Sequence, residues 1–256
     1  MNSLYKKTAI EAALKSGRLI KDSVGKVFGI SYKGRDNIVT DVDKKSEDMI
    51  IKKILSEFGD HSILSEESSP RAGRSGYRWI IDPLDGTTNF AHAFPFFCVS
   101  IALEYGGGII LGVVYDPMRD ELFYAESGKG ACLNKKKIGV SNTKKLSGSF
   151  LSTGFAYGYK KKDENIDNFK NLLLKTLAIR RAGAAALDLC YVACGRFDGF
   201  WELYLKPWDS AAGMIIVKEA GGVVTRFDGT PYSPYDEKLL ATNGKIHPQV
   251  IKALSS

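Results

Sequence analysis

The stretch Trp79-Ile80-Ile81-Asp82-Pro83-Leu84-Asp85-Gly86-Thr87-Thr88-Asn89-Phe90 decides how this chain is interpreted. It starts as an apolar strand, and Pro83 is expected to stop the sheet ladder because proline has no N–H to donate. Asp82 and Asp85 therefore follow a buried strand closely, where two carboxylates repel each other. A divalent cation resolves that repulsion, and ligands that are all oxygen favour Mg²⁺ over zinc.

The residues around this stretch extend the pattern. Gly86-Thr87-Thr88 predicts the start of a short helix, whose unbonded N–H groups would donate hydrogen bonds to a phosphate. An Asp-x-x-Asp pair alone is also typical of a helix cap. However, Glu66 and Glu67 follow another short apolar strand, and Asp209 begins an apolar helix far downstream. Taken together, these acids predict a metal site built from several carboxylates.

Four segments resemble signature motifs of the inositol monophosphatase family: Glu66-Glu67-Ser68, the run 82–90, Trp208-Asp209-Ser210-Ala211-Ala212-Gly213 and Glu219-Ala220-Gly221-Gly222. The similarity runs from 39–43 to 241–243, and 180–189 is most similar to the bacterial inositol-1-monophosphatase branch. The resemblance implies an α/β fold, the layered αβαβα sandwich of the inositol monophosphatase and fructose-1,6-bisphosphatase type. It also implies that residues 1–256 form a single domain of this kind.

The resemblance further implies Mg²⁺-dependent hydrolysis of a phosphate monoester, with two to three ions per subunit. Glu66, Asp82 and the Leu84 carbonyl would hold the first ion. Asp82, Asp85 and Asp209 would hold the second, and Glu66 would assist a weaker third. The physics agrees, because a phosphate dianion repels hydroxide unless cations lie on its oxygens.

The same resemblance assigns the remaining roles. Thr87, held by Asp43, would orient the attacking water, and the proton would pass to Asp43 or the metal, because a threonine hydroxyl is a weak base. The catalytic residues are thus Thr87, Asp43 and Glu66. The substrate would contact Asp85, Gly86, Thr87, Arg180, Gly183, Ala184, Ala185, Glu202 and Asp209.

The substrate is expected to be a small phosphorylated polyol or sugar. Glu202 favours a polyol, so inositol 1-phosphate, releasing myo-inositol and phosphate, is the first choice. Fructose 1,6-bisphosphate, histidinol phosphate and adenosine 3′,5′-bisphosphate are alternatives on the same metal core, and Arg180 or Lys206 would suit a second phosphate. Family resemblance also implies inhibition by Li⁺ and a homodimer.

Two other interpretations compete. Asp41-Val42-Asp43 resembles the Asp-x-Asp start of haloacid-dehalogenase-type phosphatases, in which the first aspartate is a covalent nucleophile, but Lys45 stands where that pattern has Thr or Val. The second is a regulatory protein whose basic surface binds RNA or a protein partner. The lysine clusters 135–137, 144–145 and 160–162, expected in hairpins or loops, lack the interleaved aromatics of single-strand binding surfaces. Nucleic acid is therefore not indicated as a partner, nor is it excluded.

Composition sets the outer limits. The 256 residues are 44% hydrophobic and 25% charged, with a net charge of +7, which is typical of a globular protein and suits an anionic substrate. No apolar run reaches the ~20 residues of a membrane span, and the start of the chain does not resemble a secretion signal, so a cytoplasmic protein without a membrane partner is expected. Four cysteines without a CxxC pair predict neither a zinc site nor a disulfide framework.

Periodicity predicts alternating helices and strands. Helices are expected at 4–20, 44–58, 165–177, 184–193, 209–220 and 247–254. Strands are expected at 63–65, 78–81, 99–105, 109–115, 121–125, 149–153, 197–204, 222–227 and 238–242. The three histidines, His61, His92 and His247, are too scattered for a metal site, and His92 is expected at the surface or in a cap.

Overall fold

The computed structural model describes residues 3–26, 29–32, 38–155 and 159–254, with the side chains of 3, 30, 32 and 159–163 outside the description. The helices are α1 Ser3–Ser23, α2 Asp41–Glu57, α3 Thr87–Ala91, α4 Tyr159–Leu173, α5 Ala185–Ala193, α6 Pro207–Glu219 and α7 His247–Leu254. A short 3₁₀ turn spans Leu146–Gly148.

The strands form three sheets. They are β1 Ile30–Tyr32, β2 Ile38–Thr40, β3 Ser62–Ser65, β4 Tyr77–Asp85, β5 Cys98–Tyr105, β6 Gly108–Asp116, β7 Glu121–Glu126, β8 Ala131–Leu133, β9 Lys136–Lys137, β10 Phe150–Thr153, β11 Ala178–Arg180, β12 Gly199–Leu203, β13 Val223–Thr225 and β14 Lys238–Thr242. The largest sheet has the order β3-β4-β5-β6-β7-β8-β9, the second has the order β11-β10-β12-β14-β13, and β1 pairs with β2 alone. In the largest sheet only β3 and β4 run parallel, whereas β11, β10 and β12 are parallel in the second.

The apolar side chains build five layers. Trp79 and Ile81 of β4 face α1 and α2, while Ile80 faces the opposite way, toward α5 and α6. The second sheet packs its Phe200 against that same middle helix layer, and its Trp201 against the outer layer of α4 and α7. Alternation along each strand therefore places one helix layer between two sheets and one on each outer face. This is the αβαβα sandwich that the sequence predicts.

Most predicted elements are confirmed, with differences at their ends. Helix α2 begins at Asp41 rather than at residue 44, because the Thr40 hydroxyl caps its first turn by accepting from the Val42 N–H. Helix α4 spans Tyr159–Leu173 rather than 165–177, and the apolar Leu174 and Leu177 that suggested the longer helix are 80% and 71% exposed. The lysines at 160–162 therefore begin a helix instead of lying in a loop; their side chains are outside the described residues.

Five short strands and the 3₁₀ turn have no counterpart in the prediction. Strands β1, β2, β8, β9 and β11 have two or three residues each, so no alternation can develop along them. The four cysteines are free, but Cys132 and Cys194 are only half-buried, unlike Cys98 and Cys190. Within the described ranges, no helix combines the length and apolar character needed to cross a membrane.

Candidate active site

The end of β4 is irregular, and this irregularity places two carboxylates. Strand β4 pairs with β5 as far as Asp82 opposite Ser100, and pairing resumes at Asp85 opposite Cys98. The expectation that Pro83 stops the ladder is therefore wrong, because the strand bulges and continues. Asp82 is 1% exposed and accepts a hydrogen bond from the Leu84 N–H at 3.0 Å, and Asp85 is 9% exposed.

Two further acids are brought to this bulge by backbone contacts. The Glu66 N–H donates to the Ile81 carbonyl at 3.2 Å, which places Glu66 beside Asp82. The hydroxyl of Ser100, the residue opposite Asp82, donates to the carbonyl of Trp208 at 3.2 Å. This bond holds the start of α6 against β5, and Asp209 lies in that first turn, where it accepts from the Lys206 N–H at 2.7 Å.

These acids are far apart in sequence, and their charges act on one another in the fold. Burial raises the pKa of Asp82 well above its usual range, and the charges of Glu66, Asp85 and Asp209 raise it further. Burial also raises the pKa of Asp85 to about 7, although the N–H of Ala186 partly opposes the shift. Among the described residues, no lysine or arginine lies within ion-pair distance of Asp82 or Asp85.

This cluster has the chemistry of a site for hard cations. Buried carboxylates that repel one another bind a divalent ion favourably, and oxygen ligands suit Mg²⁺. Across the described parts of the chain, no three His, Cys, Asp or Glu side chains are already spaced to enclose an ion. Asp82, Asp85 and Asp209 each accept a hydrogen bond from a backbone N–H, which fixes the orientation of each carboxylate.

Thr87, at the start of α3, lies between two oxygen acceptors. Its hydroxyl oxygen is 2.9 Å from Asp43 Oδ1 and 3.0 Å from the Leu84 carbonyl oxygen. Asp43 is 1% exposed, and its second oxygen accepts from the Thr40 N–H at 2.9 Å. Burial raises the pKa of Asp43, while hydrogen bonds from Thr40 and Thr87 oppose the rise. Asp41, the nucleophile of the haloacid-dehalogenase alternative, is exposed at the first position of α2.

The first turn of α5 closes another side of the site. Asp85 Oδ2 accepts from the Ala186 N–H at 2.8 Å. Gly86 has φ +89°, and a Cβ there would lie 3.0 Å from the Phe96 carbonyl and 3.2 Å from the Ala184 Cβ. The left-handed backbone and this close approach both require glycine at position 86. The backbone of 183–185 is therefore held directly beside the bulge.

Glu202 adds a buried acid at the end of β12. It is 9% exposed, and its carboxylate lies flat against Gly154, where a Cβ would be 2.1 Å from Oε2. Burial raises its pKa well above the usual range, and the charges of Asp188 and Asp209 add to the shift. Glu202 thus belongs to the same acidic region as the bulge.

Arg180 is directed differently from the expectation. Its guanidinium lies over the ring of Phe150 at 4.8 Å and donates to the Ile179 carbonyl, and no contact within the described residues joins it to the acids. Its neighbour Arg181 instead places Nη1 2.8 Å from where a Cβ of Gly183 would be. The charge of Arg181 lowers the pKa of Glu202, whose burial raises it.

The sequence analysis missed several residues that touch this site. Asn89 donates to carbonyls of two other segments, Cys98 donates its thiol to Asp85 at 3.7 Å, and Ser46 donates to the Pro83 carbonyl at 2.7 Å. Asp188 is 1% exposed, and its Oδ1 is a buried atom without a hydrogen-bond partner among the described residues. None of these residues carries a local sequence signal for its contact, because each contact joins segments that only the fold brings together. His92 is the exposed C-cap of α3, as expected.

Comparison with known proteins adds a family context. A sequence model described as "Inositol monophosphatase family" matches residues 1–256. The chain is 47% identical over 252 residues to an inositol-1-monophosphatase of Synechocystis sp., covering 97% of this chain and 88% of that protein. It is 45% identical over 231 residues to the Nus factor SuhB of Pseudomonas aeruginosa, covering 87% and 85%. The solved inositol monophosphatase from Anabaena (Nostoc) sp. superposes with a TM-score of 0.90 at 44% identity, covering 98% of this chain and 95% of that one.

Proposed function

The chain belongs to the inositol monophosphatase family and is a phosphatase, and from this premise we propose that it hydrolyses inositol 1-phosphate to myo-inositol and phosphate with Mg²⁺ as cofactor. The observation that supports the proposal is the bulge that carries Asp82 and Asp85, to which backbone contacts bring the segments of Glu66 and Asp209. Fructose 1,6-bisphosphate and other sugar or histidinol phosphates are the alternative substrates of this same acidic core.

The proposed ion ligands are Glu66, Asp82 and the Leu84 carbonyl for one ion, and Asp82, Asp85 and Asp209 for another, with Glu66 assisting a third. Bound Mg²⁺ supplies positive charge to the phosphate oxygens and makes a bound water more acidic. These ligands are supported by the burial of Asp82 and Asp85 and by the repulsion between nearby carboxylates, both of which a bound cation would offset.

At the phosphoryl end, the chain's own groups bind and orient. The first N–H groups of a helix have no acceptor within that helix, so Gly86 and Thr87 can donate to phosphate oxygens. The Thr87 hydroxyl donates to Asp43 at 2.9 Å, and its lone pairs would then be available to accept from an attacking water. Asp43, whose pKa is raised by burial, is suited to take up the proton that water loses.

At the other end, the proposed hydroxyl contacts are Glu202, Asp209 and the backbone of 183–185. A neutral polyol suits this end because carboxylates accept hydrogen bonds from hydroxyls and repel a second phosphate. Arg180, which stacks on Phe150, has less support as a substrate contact than Glu202 has.

The test of the substrate is a comparison of kcat/KM. Inositol 1-phosphate, fructose 1,6-bisphosphate, histidinol phosphate and adenosine 3′,5′-bisphosphate are assayed with Mg²⁺ and again with excess chelator. We expect the highest value for inositol 1-phosphate and no turnover after chelation. Full activity in chelated buffer would exclude the metal mechanism. A higher kcat/KM for a bisphosphate would contradict inositol 1-phosphate as the proposed substrate.

Thermal unfolding gives a measure of the ion that does not depend on activity. We expect the rise in midpoint on adding Mg²⁺ to increase between about pH 5 and about pH 8, because protons compete for carboxyls such as Asp85, whose pKa is raised to about 7. An acid with a raised folded-state pKa stabilises the ion-free protein at low pH and loses that contribution as pH rises through about 7. Burial lowers the pKa of His61 and His247, and their effects cancel between samples with and without the ion. A midpoint shift that is the same at all pH values contradicts this site.

Lithium sensitivity separates the branches of the family. We expect millimolar Li⁺ to lower steady-state turnover at saturating Mg²⁺, with Na⁺ at the same concentration as the control. Complete insensitivity at high millimolar Li⁺ would argue against an inositol-phosphate specialist while leaving the phosphatase activity in place.

A second candidate function is a regulatory role of the basic surface in contact with RNA or a protein partner. Two observations favour it: the net charge of +7 and the name Nus factor borne by the Pseudomonas relative. Binding of a single-stranded RNA, measured by fluorescence anisotropy from low to physiological salt, tests it. Affinity that persists at about 150 mM salt supports this role, and its disappearance there dismisses RNA.

We also propose a homodimer in the cytoplasm. Near the end of α4, three leucines are exposed by 47% to 80%, namely Leu173, Leu174 and Leu177, and a second copy would cover such a patch. Light scattering of the purified chain measures the mass, and a monomer at micromolar concentration removes the proposal.

A further inference from the structure

Asn89 joins three separate segments around the site. Asn89 lies in α3. Its side-chain amide nitrogen donates to the Phe96 carbonyl at 2.7 Å and to the Ala182 carbonyl at 2.9 Å. These two bonds use both hydrogens of the amide group. The Gly183 carbonyl is a weaker third neighbour at 3.4 Å.

The segment that receives the Ala182 bond is also held at its far end. The Ala186 N–H donates to Asp85 at 2.8 Å, and Asp85, the last residue of β4, lies four residues before Asn89 in α3. The short stretch 85–89 therefore anchors both ends of 182–186. The stretch between the anchors, 183–185, is the backbone proposed to bind the hydroxyls of the substrate.

The packing leaves this stretch little freedom. Gly183 has φ +89°, and a Cβ there would lie 3.2 Å from the Asn89 amide nitrogen. The Asn89 backbone carbonyl accepts from the Phe94 N–H at 2.8 Å, which ties the following loop to the same residue. Asn89 thus connects the segment proposed to bind the phosphate with the backbone proposed to bind the substrate hydroxyls.

We propose that Asn89 is a positioning residue that fixes the distance between the phosphoryl site and the hydroxyl-binding backbone 183–185, and thereby makes the enzyme select phosphates of polyols over simple phosphate monoesters. The inference rests on the proposed function and deepens it. Asn89 does not touch the reacting atoms. It acts through the carbonyl of Ala182, so its removal should affect substrates that use 183–185 and spare those that do not.

The test compares two substrates in Asn89→Ala and in the wild-type protein. Inositol 1-phosphate carries ring hydroxyls, whereas phenyl phosphate carries none. We expect kcat/KM for inositol 1-phosphate to fall by about 30-fold, because a displacement on the ångström scale has effects of this size. For phenyl phosphate we expect a change of less than about threefold. Asn89→Ser, which keeps one donor, should give an intermediate ratio.

Asn243→Ala is the matched control. Asn243 also donates its side-chain amide to a backbone carbonyl, that of Thr143 at 2.8 Å, but it lies outside the acidic cluster. Its loss should lower the midpoint of unfolding and leave the ratio of the two kcat/KM values unchanged. An equal fall for both substrates in Asn89→Ala would reduce Asn89 to a purely structural residue and overturn the proposal.

Amide hydrogen exchange keeps this inference separate from the proposed substrate. We expect the Ala186 N–H to exchange faster in Asn89→Ala and at the wild-type rate in Asn243→Ala. Exchange at Ala186 could be faster in Asn89→Ala although the wild-type enzyme does not discriminate between the two substrates. That result would retain the anchoring role of Asn89 and reject its role in selecting polyol phosphates. Unchanged exchange at Ala186 would overturn the anchoring role itself.

Discussion

Asp82→Asn is expected to lower kcat by about 10³-fold, and to raise the midpoint of thermal unfolding when divalent ions are absent. The two effects have one origin. Asp82 is 1% exposed, and the charges of Glu66, Asp85 and Asp209 all disfavour its ionised form. Asparagine removes that repulsion, and its side-chain oxygen can still accept from the Leu84 N–H. It also removes the charge on which the bound cation depends.

The measurement is kcat at saturating Mg²⁺, together with unfolding midpoints in chelator and in Mg²⁺. The wild-type protein should gain stability from Mg²⁺, and the variant should gain little. Each kcal/mol of repulsion relieved in the ion-free variant corresponds to about 2–4 °C for a chain of this size. A variant with normal turnover, or one that Mg²⁺ stabilises as much as the wild type, would remove Asp82 from the site.

Asp116→Asn is the control for burial alone. Asp116 is also fully buried, but it has partners: it accepts from the Met118 N–H at 2.9 Å and pairs with Arg119 at 2.9 Å. Its neutralisation should therefore destabilise the protein by about 1–3 kcal/mol and leave kcat within about twofold. We therefore expect Asp82→Asn to stabilise the ion-free protein and Asp116→Asn to destabilise it. This difference in sign would distinguish a cation-binding aspartate from one in a structural ion pair.

This contrast explains how much the sequence could predict. Asp82 and Asp85 stand in a long, specific motif, and Asp209 in a shorter one, so their proposed roles follow from local residues and resemblance. The interleaving of strands and helices predicts a layered α/β unit, and the αβαβα order of the layers follows from the family resemblance. These features depend on short-range order, which a sequence displays directly.

The remainder depends on contacts between distant segments. Ser100 holds Trp208 across 108 residues of chain, and Asn89 reaches Ala182 across 93, and neither serine nor asparagine is distinctive in the sequence. Pro83 alone predicts a strand end, whereas the structure has a bulge, because only the partner strand reveals that pairing resumes. Arg180 and Arg181 are adjacent in the sequence, and only the structure distinguishes them: Arg180 stacks on Phe150, whereas Arg181 lies beside Gly183.

Thr87→Ala is expected to lower kcat by about 10²-fold while KM changes by less than about threefold. The reason is geometric: the Thr87 hydroxyl lies 2.9 Å from Asp43 Oδ1, so its proton is committed and its lone pairs can receive one from water. A group that orients the attacking water matters most in the transition state, where the water must be aligned with phosphorus. Thr87→Ser keeps the hydroxyl and should retain most of the activity.

Two comparisons make this result decisive. Thr176→Ala removes a hydroxyl that donates to the Leu172 carbonyl, far from the acids, and should leave kcat and KM unchanged. Asp43→Asn combined with Thr87→Ala should be no worse than the more damaging single variant, because both act through one hydrogen bond. Fully additive losses would show that Asp43 and Thr87 act separately. A rise in KM at constant kcat would assign Thr87 to substrate binding, since a residue that only holds the ground state leaves the chemical step unchanged.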